Sequence, residues 1–211
     1  MPEPTPESYA SLLALMRERR SIRRFKADTL PDGTIDRLIE AARWAPSASN
    51  RQPFRFMAIE QPETRARMAE LVRAAVRTSV ERLPEEERAR VATYAEDFVR
   101  FEPAPLVLVA YHRAGNLLTG WLGLPPERDV GALASVSAAI MNLLLAAHAL
   151  GLGACWMTGP LLAALELETL LGIPSGWSLS AVVPVGVPDE RPPAPARRTA
   201  AHLLVRSGGS T

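Results

Sequence analysis

Arg19-Arg20-Ser21-Ile22-Arg23-Arg24-Phe25 and Ala45-Pro46-Ser47-Ala48-Ser49-Asn50-Arg51-Gln52-Pro53 are the stretches on which the reading of this chain turns. The first crowds arginines and a hydroxyl into a few residues. Arginine forks match phosphate oxygens two at a time, and a serine hydroxyl adds one more bond. The second is a polar loop of small side chains and amides between two apolar elements. Asn50 and Gln52 each carry donors and acceptors, which suits the edge of a flat ring rich in both.

Each stretch has a local reading too. The arginines could favour the negative end of a helix dipole, or form a short basic patch for nucleic acid. The loop could be only a turn, since Pro, Ser and Asn favour turns for local reasons. Taken together, a phosphate grip and a ring edge are what flavin mononucleotide (FMN) demands.

Composition narrows the classes. The chain has 211 residues, enough for one domain with a real core. Its net charge of +1 does not suggest a general nucleic-acid surface. Lys26 is the sole lysine and follows Phe25, so a Gly-Lys-Ser/Thr phosphate loop is excluded. Cys155 is the sole cysteine, which excludes an internal disulfide, a cysteine-rich zinc site and an iron–sulfur cluster. His112, His148 and His202 lack the i, i+4 spacing of a helical metal pair. The acidic, proline-rich start, Met1 to Glu7, does not read as a signal peptide, and a cytoplasmic location is expected.

From Val130 to Leu165 there is no Asp, Glu, Lys or Arg. Its length permits a membrane span of roughly 20 residues. Ser135, Ser137, Asn142 and His148 interrupt it, alanine dominates and no second span exists, so a buried helix is the better reading. A helix apolar on all sides is buried on all sides, which in so small a chain suggests a core shared between two subunits.

The periodicity predicts a helix from about Ser8 into Arg19, and a second through Ile35, Leu38, Ile39 and Ala42 that stops before Pro46. Phe54 to Glu60 reads as a strand. Residues 62 to 102 read as charged helix, with a start at Glu85-Glu86-Glu87 after Pro84. Leu106 to Tyr111 is an apolar run between breakers, hence a buried strand. Gly115 to Arg128 is a loop carrying Leu117-Leu118 and Trp121-Leu122. Asp129 can cap the long apolar helix, which ends near Gly151. Ala154 to Met157 and Leu179 to Val187 read as strands. Pro160 to Leu171 reads as a helix, with Leu162, Leu165 and Glu166 suggesting a buried and a wet side. Pro188, Pro192, Pro193 and Pro195 make the tail extended. These elements predict an α+β domain: a three-layer α/β/α arrangement with a small mixed sheet flanked by helices. It is one domain over 1–211, with 190–211 as an extended C-terminal arm.

Gly151-Leu152-Gly153-Ala154-Cys155-Trp156 is not a dinucleotide fingerprint. It follows a helix, and Trp156 stands where the third glycine should be. Cys155 reads as a buried structural thiol, with no neighbouring cation in sequence to lower its pKa. Pro174-Ser175-Gly176 is a turn, not part of a nucleophile elbow. Arg197-Arg198 is either surface charge or a last arginine for a phosphate site.

In their order along the chain, these segments resemble the nitroreductase family of FMN-dependent oxidoreductases, from about Leu13 to Leu204. The parts that carry the resemblance are 19–25, Pro46 to Phe54, Asn142 to Ala147 with Gly151-Leu152-Gly153, Val183 to Pro188, and Arg198. The resemblance implies a homodimer with two FMN sites made from both subunits and the long helix at its core. Arg19, Arg20, Ser21 and Arg23 would hold the phosphate and ribityl end, and Arg198 would approach the same phosphate. Pro46, Ser47, Ser49, Asn50 and Gln52 would face the ring from the partner chain. Met157, Thr158 and Gly159 would lie along another part of the ring.

The implied activity is transfer of electrons from NADH or NADPH through FMN to a nitroaromatic, quinone or similar small-molecule acceptor. The flavin carries the chemistry and no side-chain catalyst is required. Members with Pro-x-Glu-Gly beside the flavin differ from this chain, which has Trp156-Met157-Thr158-Gly159. A specialised flavoprotein of the same fold (dehydrogenase, flavin-fragmenting or F420-related) and a non-catalytic flavin-binding sensor are the alternatives. No metal, nucleic-acid partner or membrane partner is expected. The 115–128 loop and the charged 62–102 helices would shape the substrate mouth.

Overall fold

A computed structural model describes residues 5–113, 115 and 130–207. The elements appear in the order α1 (Pro6–Glu18), α2 (Thr34–Arg43), β1 (Phe54–Ile59), α3 (Pro62–Glu81), α4 (Glu85–Ala95), β2 (Leu106–Arg113), α5 (Gly131–Ala149), β3 (Gly153–Ala154), α6 (Ala164–Leu171), β4 (Trp177–Gly186) and α7 (Ala200–Leu203). Short 3-10 turns occupy Ala48–Asn50, Glu96–Val99 and Gly159–Ala163. The 116–128 part of the expected loop and the Asp129 cap lie outside the described residues.

The strands form one sheet in the order β1-β2-β4-β3. Period-two alternation divides each central strand between two cores. Leu106, Leu108, Ala110, Ala181, Val183 and Val185 pack with Leu38 of α2 and Val136, Ile140 and Leu143 of α5. Val107, Val109 and Val182 face the other way, against Met68 and Val72 of α3, Phe101 and Leu167. Helices therefore cover both faces, which is the three-layer α/β/α arrangement. Full burial of a Val, Leu or Phe side chain contributes about 1.5–3 kcal/mol, and Phe101, Leu38, Leu143 and Leu167 are all 0% exposed.

The described strands pair antiparallel throughout, so the sheet is mixed only through one isolated parallel bridge, Ser21 with Ala154. An uninterrupted apolar run reports burial on both faces. It does not report strand direction. That single bridge matters, because it lays the arginine segment along β3 at the sheet edge.

Within one chain α5 is buried on one side, as a core shared with a second subunit would leave it: Val136, Ala139, Ile140 and Leu143 are fully buried, whereas Leu133 is 48% exposed. One side packs on the sheet and α2, and nothing among the described residues covers Leu133 on the other. Two other details depart from the sequence reading. The 159–171 helix begins as a 3-10 turn, and its buried face is Pro160, Ala163 and Leu167; Leu162 and Leu165 are exposed. The 190–211 arm is not wholly extended. Past its prolines, Thr199 caps the short α7 by accepting a bond from the His202 N–H.

Candidate functional site

The arginine segment leaves α1 at Arg19 and runs extended beside β3. The Ile22 N–H donates to the Ala154 carbonyl at 3.0 Å, and the Lys26 N–H to that of Val187 at 2.9 Å. The Asp189 N–H donates to the Arg24 carbonyl at 3.0 Å, so residues 24–26 also pair with 187–189. Two glycines permit this close fit. A Cβ on Gly153 would lie 2.7 Å from the Ile22 side chain, and one on Gly186 would lie 2.8 Å from the Phe25 ring.

Ile22 is buried, whereas Arg19, Arg20, Ser21 and Arg23 are partly exposed and Arg24 more so. Arg19 and Arg20 line a cleft of about 340 Å³ with Glu18, His148, Glu190 and Arg191. Ser21 and Arg23 line a second, of about 320 Å³, with Arg24, Asp97, Arg100 and Glu190. Arg23 and Asp97 continue into a third space of about 130 Å³ lined by Tyr94, Phe98, Trp156, Met157, Thr158 and Gly159. A cationic trench thus runs into an aromatic one, with Arg23 at the junction.

Cys155 lies beneath this junction and is 1% exposed. Burial pushes its thiol pKa up, against the opposing pull of the Arg23 charge, the Ser21 hydroxyl and the Arg19 charge. This is a protonated, shielded thiol. Its neighbours place Arg19, Ser21 and Arg23 on one side of the extended segment, as period two requires.

Two buried side-chain nitrogens among the described residues lack a partner: Nε of Arg19 and Nε1 of Trp156. Both residues line the clefts. An orphaned buried donor costs about 1–3 kcal/mol, so a ligand with oxygen acceptors that draws these groups to itself relieves a real penalty. The donor set fits the phosphate and polar ring edge of FMN.

The second expected stretch is elsewhere. Ala48, Arg51 and Pro53 lie beside Arg113, Gly115, Gly131 and Ala132, near the start of α5. Ser49, Asn50 and Gln52 hold positive φ of 52°, 52° and 48°. This left-handed backbone is uncommon for residues with a Cβ. The Gln52 N–H donates to Ser47 Oγ at 2.9 Å, and Gln52 Nε2 to Asn50 Oδ1 at 3.2 Å, which holds the curl. Pro46, Ser49, Asn50 and Gln52 are exposed or nearly so, and Ser47 lies beside them. None of them lines the arginine clefts, so the single chain does not unite the two halves of the expected site.

Arg198 is also apart from those clefts: its guanidinium meets Nε2 of His202 at 3.0 Å in the exposed tail. Thr158 is exposed at the aromatic end, while the Met157 side chain belongs to the buried core. Sequence reasoning missed Glu190, Tyr94, Asp97, Phe98 and Trp156 as lining residues. The i, i+4 spacing of Tyr94 and Phe98, whose rings meet edge to face at 5.5 Å, was the one available signal. Nothing local marks Glu190.

Comparison with known proteins agrees with this fold. The chain is 30% identical over 193 residues to a 5,6-dimethylbenzimidazole synthase of Rhodospirillum rubrum, covering 90% of this chain and 88% of that one. Its fold is similar to a BluB-like flavoprotein of Clostridium difficile, with TM-score 0.82, 24% identity and coverage of 92% and 98%. It is also similar to an iodotyrosine deiodinase bound to FMN and 3-iodo-L-tyrosine, with TM-score 0.74, 26% identity and coverage of 94% and 100%. The model of the nitroreductase family matches residues 16–187, and the chain belongs to that family.

Proposed function

We propose that the protein is a cytoplasmic, homodimeric, FMN-dependent oxidoreductase that moves electrons from NADH or NADPH to a small aromatic or quinone-like acceptor. The observation that carries this reading is the trench joining Arg19, Ser21 and Arg23 to Trp156–Gly159, with its two orphaned buried donors. When bound, FMN would supply the reversible uptake of electrons; the chain supplies binding, orientation and water exclusion. Arg19, Arg20, Ser21 and Arg23 would hold the phosphate. Met157, Thr158 and Gly159 would lie along the ring. The curled 46–52 loop of a second subunit would complete the other side.

The dimer is supported by unpartnered apolar surface. Tyr9, Leu12 and Met16 on α1, Trp44 and Leu133 are all 46% exposed or more. Light scattering that returns a single-chain mass at micromolar concentration counts against it.

The kinship with a dimethylbenzimidazole synthase and a deiodinase, together with Thr158 in place of a carboxylate, supports a second reading. In this one the flavin serves a specialised substrate and reacts weakly with nicotinamides. Anaerobic mixing of the flavin-loaded protein with NADH and then NADPH separates them. Bleaching of the oxidised-flavin absorbance favours the reductase. Flavin that stays oxidised favours the specialised enzyme, or a sensor. The Arg19→Ala, Arg23→Ala double variant should lose FMN. Stoichiometric FMN retained there removes the phosphate assignment.

A further inference from the structure

We infer that Glu190 is the positioning residue of the arginine grip: its carboxylate holds the segment in the shape that meets a phosphate. This inference rests on the FMN reading above. Glu190 Oε1 accepts from the Arg23 N–H at 2.6 Å and from the Arg24 N–H at 3.0 Å, and Oε2 lies 3.4 Å from Arg24 Nε. The side chain is 17% exposed and forms part of the wall of both arginine clefts.

The backbone explains why a side chain is needed there. Pairing between 24–26 and 187–189 ends at Asp189, and the chain then turns into Pro192 and Pro193. Beyond that pairing, the Arg23 and Arg24 N–H groups donate to no backbone carbonyl among the described residues. The Glu190 carboxylate takes the place of the missing rung and accepts from two consecutive N–H groups. Those donors are thereby spent. A phosphate must then be met by the side chains of Arg19, Arg20, Ser21 and Arg23, whose directions follow from the held backbone.

The carboxylate has a second effect. Arg19, Arg20, Arg23 and Arg24 repel one another when no anion is present. A nearby negative charge lowers the cost of keeping them together. Glu190 also opposes an incoming phosphate directly, so positioning and repulsion predict opposite signs for its removal. The close bonds to two N–H groups favour positioning as the larger effect, since losing both frees the segment.

The test measures dissociation constants for FMN and for riboflavin, by quenching of flavin fluorescence, in wild type, Glu190→Ala and Glu190→Gln. Riboflavin has the same ring and no phosphate. Glu190→Ala should weaken FMN about tenfold or more while riboflavin changes by less than about threefold. Glu190→Gln keeps an acceptor oxygen and should stay within about threefold of wild type for FMN. Thermal melts of the apo forms check that the variants fold.

FMN bound by Glu190→Ala as tightly as by wild type, or more tightly, overturns the inference in favour of a simple repelling charge. Equal losses for FMN and riboflavin overturn it in favour of general structural damage, as does failure of glutamine to rescue. Wild-type protein that binds FMN no better than riboflavin overturns the phosphate assignment itself, a result separate from any effect at Glu190.

Discussion

Gly159 opens the 3-10 turn at the aromatic end of the trench, and the Phe98 ring lies directly on it. A Cβ at position 159 would sit 2.3, 2.5 and 2.7 Å from three carbons of that ring. Ordinary carbon contacts are about 3.5–4.0 Å, so Gly159→Ala forces the ring back by about 1 Å or more. Its retreat is opposed by Tyr94, whose ring meets that of Phe98 at 5.5 Å. Overpacking of this kind costs about 1–3 kcal/mol. For a chain of this size, about 2 kcal/mol lowers the melting temperature by about 4–8 °C. Phe98→Ala has its own cost, from a half-buried ring removed. Once the ring is gone, the methyl group added at position 159 meets open space and should cost almost nothing more. A double-mutant cycle read by thermal or urea unfolding should therefore give a coupling of at least about 1 kcal/mol, with the second substitution partly masking the first. Additivity within about 0.5 kcal/mol would show that the ring and the glycine do not meet as described.

Arg65 is 7% exposed and donates to the carbonyls of Glu60 at 2.6 Å and Glu102 at 3.1 Å, so it ties α3 to the end of β1 and to the turn that precedes β2. Arg65→Met keeps the volume but orphans those carbonyls, and should cost about 2–4 kcal/mol in urea unfolding; a loss under about 0.5 kcal/mol contradicts the tie. The Cys155 thiol should resist Ellman's reagent in the native protein at about pH 8 and react fully in denaturant; rapid native labelling would contradict its burial. Because burial raises its folded pKa, its stabilising share is complete below the ordinary thiol range, near about pH 8.5. It is lost as pH climbs from there towards the folded value, because the unfolded thiol ionises first. Cys155→Ala should flatten that alkaline decline in apo-protein melts, and an unchanged profile would assign the decline elsewhere. Ser49→Gly relieves a left-handed backbone at φ 52° and should raise stability by up to about 1 kcal/mol; a destabilised variant would mean that the curl is held by the serine side chain.

The layers were legible because burial writes itself into composition. Leu106 to Ala110 and Ala181 to Val185 are apolar without interruption, and both strands are covered on both faces. Strand direction was not legible, because sidedness and polarity are independent: an antiparallel strand between two helical layers reads like a parallel one. The arginine segment announced its chemistry by residue type. Its partner Glu190 did not, since the bonds that connect them join residues 167 and 166 positions apart. Leu162 and Leu165 misled for a local reason. The helix there starts as a 3-10 turn, and the change of pitch moves the inner face to Ala163 and Leu167. The curl at 49–52 was also hidden, because serine and glutamine in a left-handed backbone are held by the loop's own hydrogen bonds, not by residue preference.

The clasp between residues 22–26 and residues 154 and 187–190 has a consequence for biosynthesis. Arg23 leaves the ribosome 167 residues before the glutamate that holds it. At about 5–20 residues per second, that interval lasts about 10–30 s. By its end all four described strands and every described helix but α7 have been made, and the segment still lacks the carboxylate that holds it. The segment is held only once the chain reaches residue 190, so a chain stopped before Glu190 should be well populated with secondary structure and should bind an anion more weakly.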